Sequence, residues 1–366
     1  MVCAWPLAAN PARRQRCYDV LTALAAACRA GGRRPAFDVV VLTHGVYQVI
    51  GDEQGDVGLG ALSGLARTLS MEMPALRIRA LDLPAASVEA IGDAIGQMAW
   101  WYDEPLLVRR GRRWWRREYV PVAASGGAFA PSAAATSGTG LSVVLGVGQV
   151  GTAAARVLAR AGHAIVLVAR QGPGMQHAES LARELVPLAA VHCETCDVAE
   201  PEQVEALLRR LTARHGAIER LILAAGISGE RAYQDSALLP DWKSEEHFRI
   251  KVDGVAALGA SAASYPIRRV VLMSSLSGVL GAISLGPYSA ASAAMDSHAE
   301  RFDGRHADWL SIGWDAWRRP EPIDNAHEAR VVEDGLTAGE AETALAHLLL
   351  SNATGHVLVA KGDFPS

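Results

Sequence analysis

The sequence predicts an α/β fold in two parts, each built on a mostly parallel sheet. Three observations lead there. Apolar runs of strand length alternate with helical segments along nearly the whole chain; the alternation stops and begins again around residues 123–140; and the second series opens on a glycine-rich turn, Gly146-Val-Gly148-Gln-Val-Gly151, that the first lacks. A chain of 366 residues, 50% hydrophobic and 20% charged, can bury a large core in two domains of ordinary size.

In the first series a short strand is expected at 2–7, a helix at 17–29 with one apolar face, and a buried strand at 37–43. A helix at 58–71, a strand at 78–83 and a helix at 87–100 follow, then strands at 105–109 and 115–120. Asn10-Pro-Ala-Arg stands where a nucleotide-binding unit carries its glycines, so this half is not expected to hold a dinucleotide. Residues 123–140 are rich in Gly, Ser, Ala and Pro and carry no charge, the composition of a linker. The domain boundaries follow: 1–122, a linker at 123–140, and 141–366.

The second series places strands at 141–145, 164–169, 190–197 and 221–225, and helices at 151–161, 176–185 and 202–215. Gly146, Gly148 and Gly151 allow a tight turn, close backbone approach and close helix–strand packing, and the turn, with Gln149 and Val150 in it, opens a helix whose free N–H groups suit a pyrophosphate. An acidic residue after the second strand would select NAD through the ribose 2′-hydroxyl; Arg170 stands there instead and suits a 2′-phosphate, hence NADPH. Ala224-Ala225-Gly226 closes the fourth strand with side chains small enough for a cofactor to lie close.

Residues 269–275 form an apolar run ending in two serines, read as a buried strand. Tyr288 comes thirteen residues after Ser275 and leads a helix-forming stretch. A hydroxyl at a strand's carboxyl end and a phenol on the next helix can converge on one small oxygen, where open α/β sheets bind ligands. A phenol of ordinary pKa, about 10, needs a nearby cation before it can give up its proton at neutral pH. Lys251 is the candidate cation.

The Ser275–Tyr288 spacing resembles that of short-chain dehydrogenases/reductases. Most of them carry Lys four residues after the Tyr, a place held here by Ser292. An upstream lysine, as in His-Phe-Arg-Ile-Lys251-Val-Asp-Gly, is similar to the ketoreductase domains of modular polyketide synthases. Gly60-Ala-Leu-Ser-Gly-Leu-Ala-Arg-Thr-Leu-Ser-Met-Glu-Met-Pro74, with Leu81-Asp-Leu83, resembles the structural subdomain of such domains, so the likeness covers nearly the whole chain. It implies two Rossmann-like subdomains: an N-terminal truncated structural one and a C-terminal catalytic, NADPH-binding one with a parallel doubly wound sheet. It implies NADPH-dependent reduction of a β-ketoacyl group held on an acyl carrier protein, among neighbouring synthase domains in the cytoplasm. Tyr288 is then the proton donor, Ser275 a hydrogen-bond donor to the same oxygen, and Lys251 the support of the tyrosinate and nicotinamide ribose. Asp197-Val198 resembles the pair beside the adenine.

Departures from the family pattern are Val144-Leu145 for a leading Thr-Gly and Ser292 for an Asn; a serine there either passes a proton through water or leaves activity reduced. Trp314-Asp-Ala-Trp317 resembles the family's Trp-containing segment, in the form found where acyltransferases act in trans, and 318–336 reads as a lid or a surface loop. Ser228-Gly229-Glu230 replaces a Leu-Asp-Asp motif, and Leu280 a Trp, so the stereochemical signals lean only weakly to an L-hydroxy product. The rest of a synthase is missing, so Met1 is expected to be an excision point.

The net charge of −4 gives no reason to expect nucleic acid or an anionic membrane as partner, and no apolar run reaches the roughly 18 residues of a span. Five cysteines read as reduced cytosolic thiols, no metal-ligand spacing is present, and Cys193-x-x-Cys196 is expected to be inert in a buried strand. The run from Arg109 to Arg117 reads as a strand pair with one solvated basic face. Two other readings stay open: a free-standing ketone reductase, and a non-reducing structural module.

Overall fold

The computed structural model describes residues 1–4, 11–30, 37–84, 88–98, 104–122, 140–227, 232–233, 246–319 and 326–362. The expected linker, apart from Gly140, lies outside these residues, as do Ser228-Gly229-Glu230.

The first unit is a five-stranded sheet in sequential order. Its strands are β1 (Val2–Cys3), β2 (Phe37–His44), β3 (Leu76–Leu83), β4 (Leu106–Arg110) and β5 (Arg113–Trp115), parallel except for the β4–β5 hairpin. Among the described residues three α-helices accompany it: α1 (Pro11–Ala30), α2 (Ala61–Glu72) and α3 (Val88–Met98). The strand expected at 115–120 is a misreading. Pairing ends at Trp115, and the following arginines turn to partners elsewhere, Arg116 to Glu104 and Glu118, and Arg117 to Glu300 at 2.7 Å. Nor is the basic run one solvated face, because Arg110 points inward and is buried.

The second unit is a seven-stranded, all-parallel sheet in the order β12-β11-β10-β9-β6-β7-β8. Its strands are β6 (Leu141–Leu145), β7 (Ala164–Ala169), β8 (Val191–Thr195), β9 (Ile218–Leu223), β10 (Arg269–Ser275), β11 (Asp308–Trp314) and β12 (Gly355–Val359). Its helices are α4 (Gln149–Arg160), α5 (Pro173–Leu185), α6 (Pro201–His215), α7 (Gly254–Ala262), α8 (Ser277–Leu280), α9 (Gly286–Phe302), α10 (Ala326–Glu333) and α11 (Ala338–Leu349). Both faces of the sheet are covered. Val144 packs into one apolar cluster and its neighbours Val143 and Leu145 into another, as expected where strands alternate their side chains between two buried layers. Val144 and Leu145 are therefore strand core, which leaves the turn to begin at Gly146. β8 is an edge strand and only half-buried, so the buried setting expected for Cys193 is corrected.

Strand order reverses beside β6, whose neighbours β7 and β9 lie on either side. The crevice of such a sheet opens there, at the strands' carboxyl ends. Helix α9, which carries Tyr288, is shared by the two units. Met295 and Ala299 pack into the core of the second unit, while Ala290, Ala291 and Ala294 belong to the core of the first. Its Ser-Ala-Ala-Ser-Ala-Ala run gives it a thin cross-section, and α2 answers with Gly64: a Cβ there would collide with the carbonyl oxygen of Ser289. The first unit thus fixes the height of the helix that bears the phenol.

Candidate active site

The glycine-rich turn is held by contacts only glycine allows. Gly146 has φ +98°, and a Cβ on it would sit 2.5 Å from the backbone of Ala225; a Cβ on Gly151 would strike the Gly146 carbonyl oxygen. Gly148 differs: a Cβ there meets nothing within 4 Å, so the turn is open on that side. Gly148 caps α4 without any side-chain bond, so the backbone donors of the first turn are left for an anion. A dinucleotide fits this cradle, since open space, a helix N-terminus and a basic side chain meet at one place.

That place is a cavity of about 1140 Å³ across the carboxyl ends of the strands. Of the residues singled out for cofactor binding, Gly146, Gly148, Gln149, Val150, Arg170, Asp197, Val198, Ala224, Ala225 and Gly226 line it. Gly151 does not; it packs beneath the turn. Arg170 is exposed at the end of β7, free to meet a phosphate at the rim. The amide of Gln149 donates to the carbonyl of Arg318 at 2.9 Å and ties the turn to the chain leaving β11.

The other end of the cavity gathers the candidate catalytic side chains. Ser275 ends β10, and Tyr288 sits in the first turn of α9, entered through Pro287. Lys251 lies in a π-helical turn, Arg249–Asp253, a local departure from α geometry often found at functional sites. All three line the cavity. The Lys251 side chain is nearly sealed, with 2% of its surface exposed. Its ammonium stands 4.3 Å from the centre of the Tyr288 ring, over the ring face, and donates to Ser292 Oγ at 2.9 Å. The His247 ring packs against the phenol in a T-shaped arrangement, with centroids 5.7 Å apart.

Ser292 meets Lys251 directly. It is fully buried one helical turn below Tyr288, does not line the cavity, and accepts the lysine's hydrogen bond directly. A side chain as short as serine leaves the ammonium room to come down onto the ring. Sequence reasoning missed Ser277, whose backbone N–H donates to Ser275 Oγ at 3.2 Å and whose hydroxyl lies 3.0 Å from the same oxygen. The signal was available: a serine two residues past a strand-end serine is placed for such a local bond.

Trp314 and Trp317, packed edge to face with centroids 5.2 Å apart, line the cavity with Leu280 and with Val331 and Val332 of α10. Within the expected lid, residues 326–333 are helical, Trp317 pairs with Leu336, and 320–325 lie outside the described residues. Cys193 and Cys196 are free thiols. Burial pushes both upward, Cys196 to about 11, so neither is an anion at neutral pH.

The KR domain family model matches residues 140–319. The chain is 33% identical over 261 residues to erythronolide synthase EryA3 of Saccharopolyspora erythraea, which covers 69% of this chain and 8% of that one. The chain belongs to the ketoreductase-domain family. Such domains are nicotinamide-dependent reductases of the short-chain type and act on a keto group. In fold the chain is similar to the first ketoreductase of the tylosin polyketide synthase, with TM-score 0.79 and 24% identity, covering 98% of this chain and 76% of that one. It is also similar to the A-type ketoreductases from a modular polyketide synthase, with TM-score 0.74 and 25% identity, covering 91% and 71%. The chain spans 4–16% of the length of the curated relatives it matches, polyketide synthases in which a ketoreductase domain has other synthase domains for neighbours. No described helix of this ketoreductase chain is long and apolar enough to cross a membrane.

Proposed function

We propose that the chain reduces the β-keto group of a polyketide intermediate, tethered to an acyl carrier protein, to a β-hydroxy group, with NADPH as reductant. Residues 1–122 form a structural subdomain and 141–366 the catalytic one, working in the cytoplasm within a larger synthase. The observation that carries this reading is the convergence of Lys251, Ser275 and Tyr288 on one end of a cavity whose other end is the glycine-rich cradle.

Gly146, Gly148, Gln149 and Val150 would hold the pyrophosphate, Arg170 the 2′-phosphate, and Asp197, Val198, Ala224, Ala225 and Gly226 the walls around the adenosine. The nicotinamide, when bound, supplies the hydride. Tyr288 gives its proton to the substrate's carbonyl oxygen, and Ser275 donates a hydrogen bond to that oxygen as charge builds on it. The ammonium of Lys251, held over the ring by Ser292, favours the phenolate that the transfer leaves behind. Burial of Lys251 keeps water from screening that charge.

Replacing Tyr288 with Phe keeps the ring under the ammonium and removes only the proton. NADPH consumption with a decalone or a β-ketoacyl thioester should fall by roughly 10²–10⁴, the usual contribution of a positioned acid, with NADPH affinity retained. Turnover that survives Tyr288→Phe would end the assignment.

A further inference from the structure

We infer that Ser277 is a positioning residue that supports Ser275 as a hydrogen-bond donor to the substrate oxygen. The inference rests on the role proposed for Ser275 and adds a residue to it. A hydroxyl offers one proton and two lone pairs. Ser277 reaches Ser275 Oγ twice: its backbone N–H donates at 3.2 Å and its hydroxyl lies 3.0 Å away, where either hydroxyl can carry the shared proton. A carbonyl oxygen can only accept, so once a ketone takes the Ser275 proton the Ser277 hydroxyl is left to donate to Ser275.

This removes an ambiguity from the site. An unconstrained serine beside a tyrosine can accept the phenol's proton as readily as donate to a ketone, and the first arrangement is unproductive. With a ketone on its proton, Ser275 accepts twice from Ser277 and has no place for the Tyr288 proton, which is left for the substrate. Two donors onto one oxygen also polarise its O–H bond and strengthen the bond it gives. Both serines are buried, 9% and 8% exposed, and both line the cavity, so little bulk water reaches them to compete.

The geometry is fixed from behind. Ser277 opens the short helix α8, and its neighbour Gly278 lies so close to α9 that a Cβ there would stand 3.0 Å from the Ala293 backbone nitrogen and 3.1 Å from Asp296 Oδ2. The donor pair is therefore locked to the helix that carries Tyr288.

The test is a double-mutant cycle on the full chain, with kcat, KM and NADPH affinity measured on a decalone. Ser277→Ala should lower kcat about three- to tenfold, the size of one ordinary hydrogen bond, with NADPH affinity and melting temperature unchanged. Ser277→Thr, which restores the hydroxyl, should recover kcat. In a Ser275→Ala background, Ser277→Ala should cost nothing further. An equal loss in both backgrounds, no loss in either, or failure of Thr to restore the rate overturns the proposal. If Ser275→Ala itself leaves kcat intact, the role of Ser275 has failed, and that of Ser277 with it. Should the alanine variant not fold, Ser277→Gly is read by the same outcomes.

Discussion

The two sheets treat their carboxyl edges in opposite ways. The seven-stranded sheet leaves a cavity of about 1140 Å³ there, with an uncapped helix N-terminus facing it. The five-stranded sheet fills the corresponding place from its own chain. Arg110, at the end of β4, lies 2.6 Å from Asp82 on β3 and 2.9 Å from Glu53 in the loop after β2, and all three are buried. Glu53 in turn accepts the backbone N–H groups of Val49, Ile50 and Gly51 at 2.9, 3.1 and 3.0 Å. Asp82 takes the N–H of Val46 at 3.2 Å and the hydroxyl of Thr43 at 2.7 Å. Backbone donors that a nucleotide-binding unit offers to a phosphate are here satisfied by internal carboxylates. An edge of this kind binds a ligand only where the chain withholds its own anion.

If that comparison holds, damage to the first edge should cost stability and spare the cofactor. Arg110→Met strands two buried carboxylates, a change expected to destabilise by about 3–5 kcal/mol in urea unfolding. On the protein that remains folded at low temperature, a fluorescence titration should return the wild-type affinity for NADPH. An affinity loss without a stability loss would mean that the first unit takes part in cofactor binding, and the contrast would break.

The same contrast explains what could be read before the fold was seen. Continuous apolar strands such as Val143-Val144-Leu145 need cover on both faces, which forces a parallel sheet between helix layers. Gly146 and Gly151 announce themselves because no other residue fits their contacts. The plugged edge was not legible, since Glu53, Asp82 and Arg110 are scattered charges until the loop folds over the strand ends. The stretch after Trp115 failed for a related reason: its aromatic and basic residues suit an extended strand, but ion pairs to Glu300 and Glu104 draw them off the sheet. Lys251, Ser275 and Tyr288 could be picked out by spacing. The bond from Lys251 to Ser292 could not, because it depends on a π-helical turn and spans 41 residues.

On the second edge, the basic side chain at the rim should act on the cofactor alone. Arg170→Ser would remove the proposed charged partner of the 2′-phosphate, and hydrogen bonds to charged groups contribute about 1.5–3 kcal/mol. NADPH affinity should fall by roughly 10- to 100-fold while NADH affinity stays within about threefold. The melting temperature of the unliganded protein should not move, since Arg170 is exposed. Equal losses for both cofactors would place the 2′-phosphate elsewhere and dissolve the reading of this edge as an NADPH site.

Acid supplies the finest probe of the first edge. Burial works to raise the Glu53 pKa, but the hydrogen bonds from Arg110 and from the Val49 and Ile50 backbone prevail and hold it at about 2, against an ordinary value of 4.5. A carboxyl whose folded pKa is depressed contributes stability that is fully present above 4.5 and drains away as the pH falls toward 2. By pH 3.5 the loss should reach about 1 kcal/mol relative to neutral pH, too small to isolate in one curve because other carboxylates titrate in the same range. Glu53→Gln provides the reference, since an amide at that position has no proton to gain. Wild type should therefore lose about 1 kcal/mol more than Glu53→Gln between pH 6 and 3.5, and the two should run parallel above pH 6. Parallel curves throughout would mean that Glu53 titrates as it does in the unfolded chain, and its carboxylate could not be the anion that closes this edge.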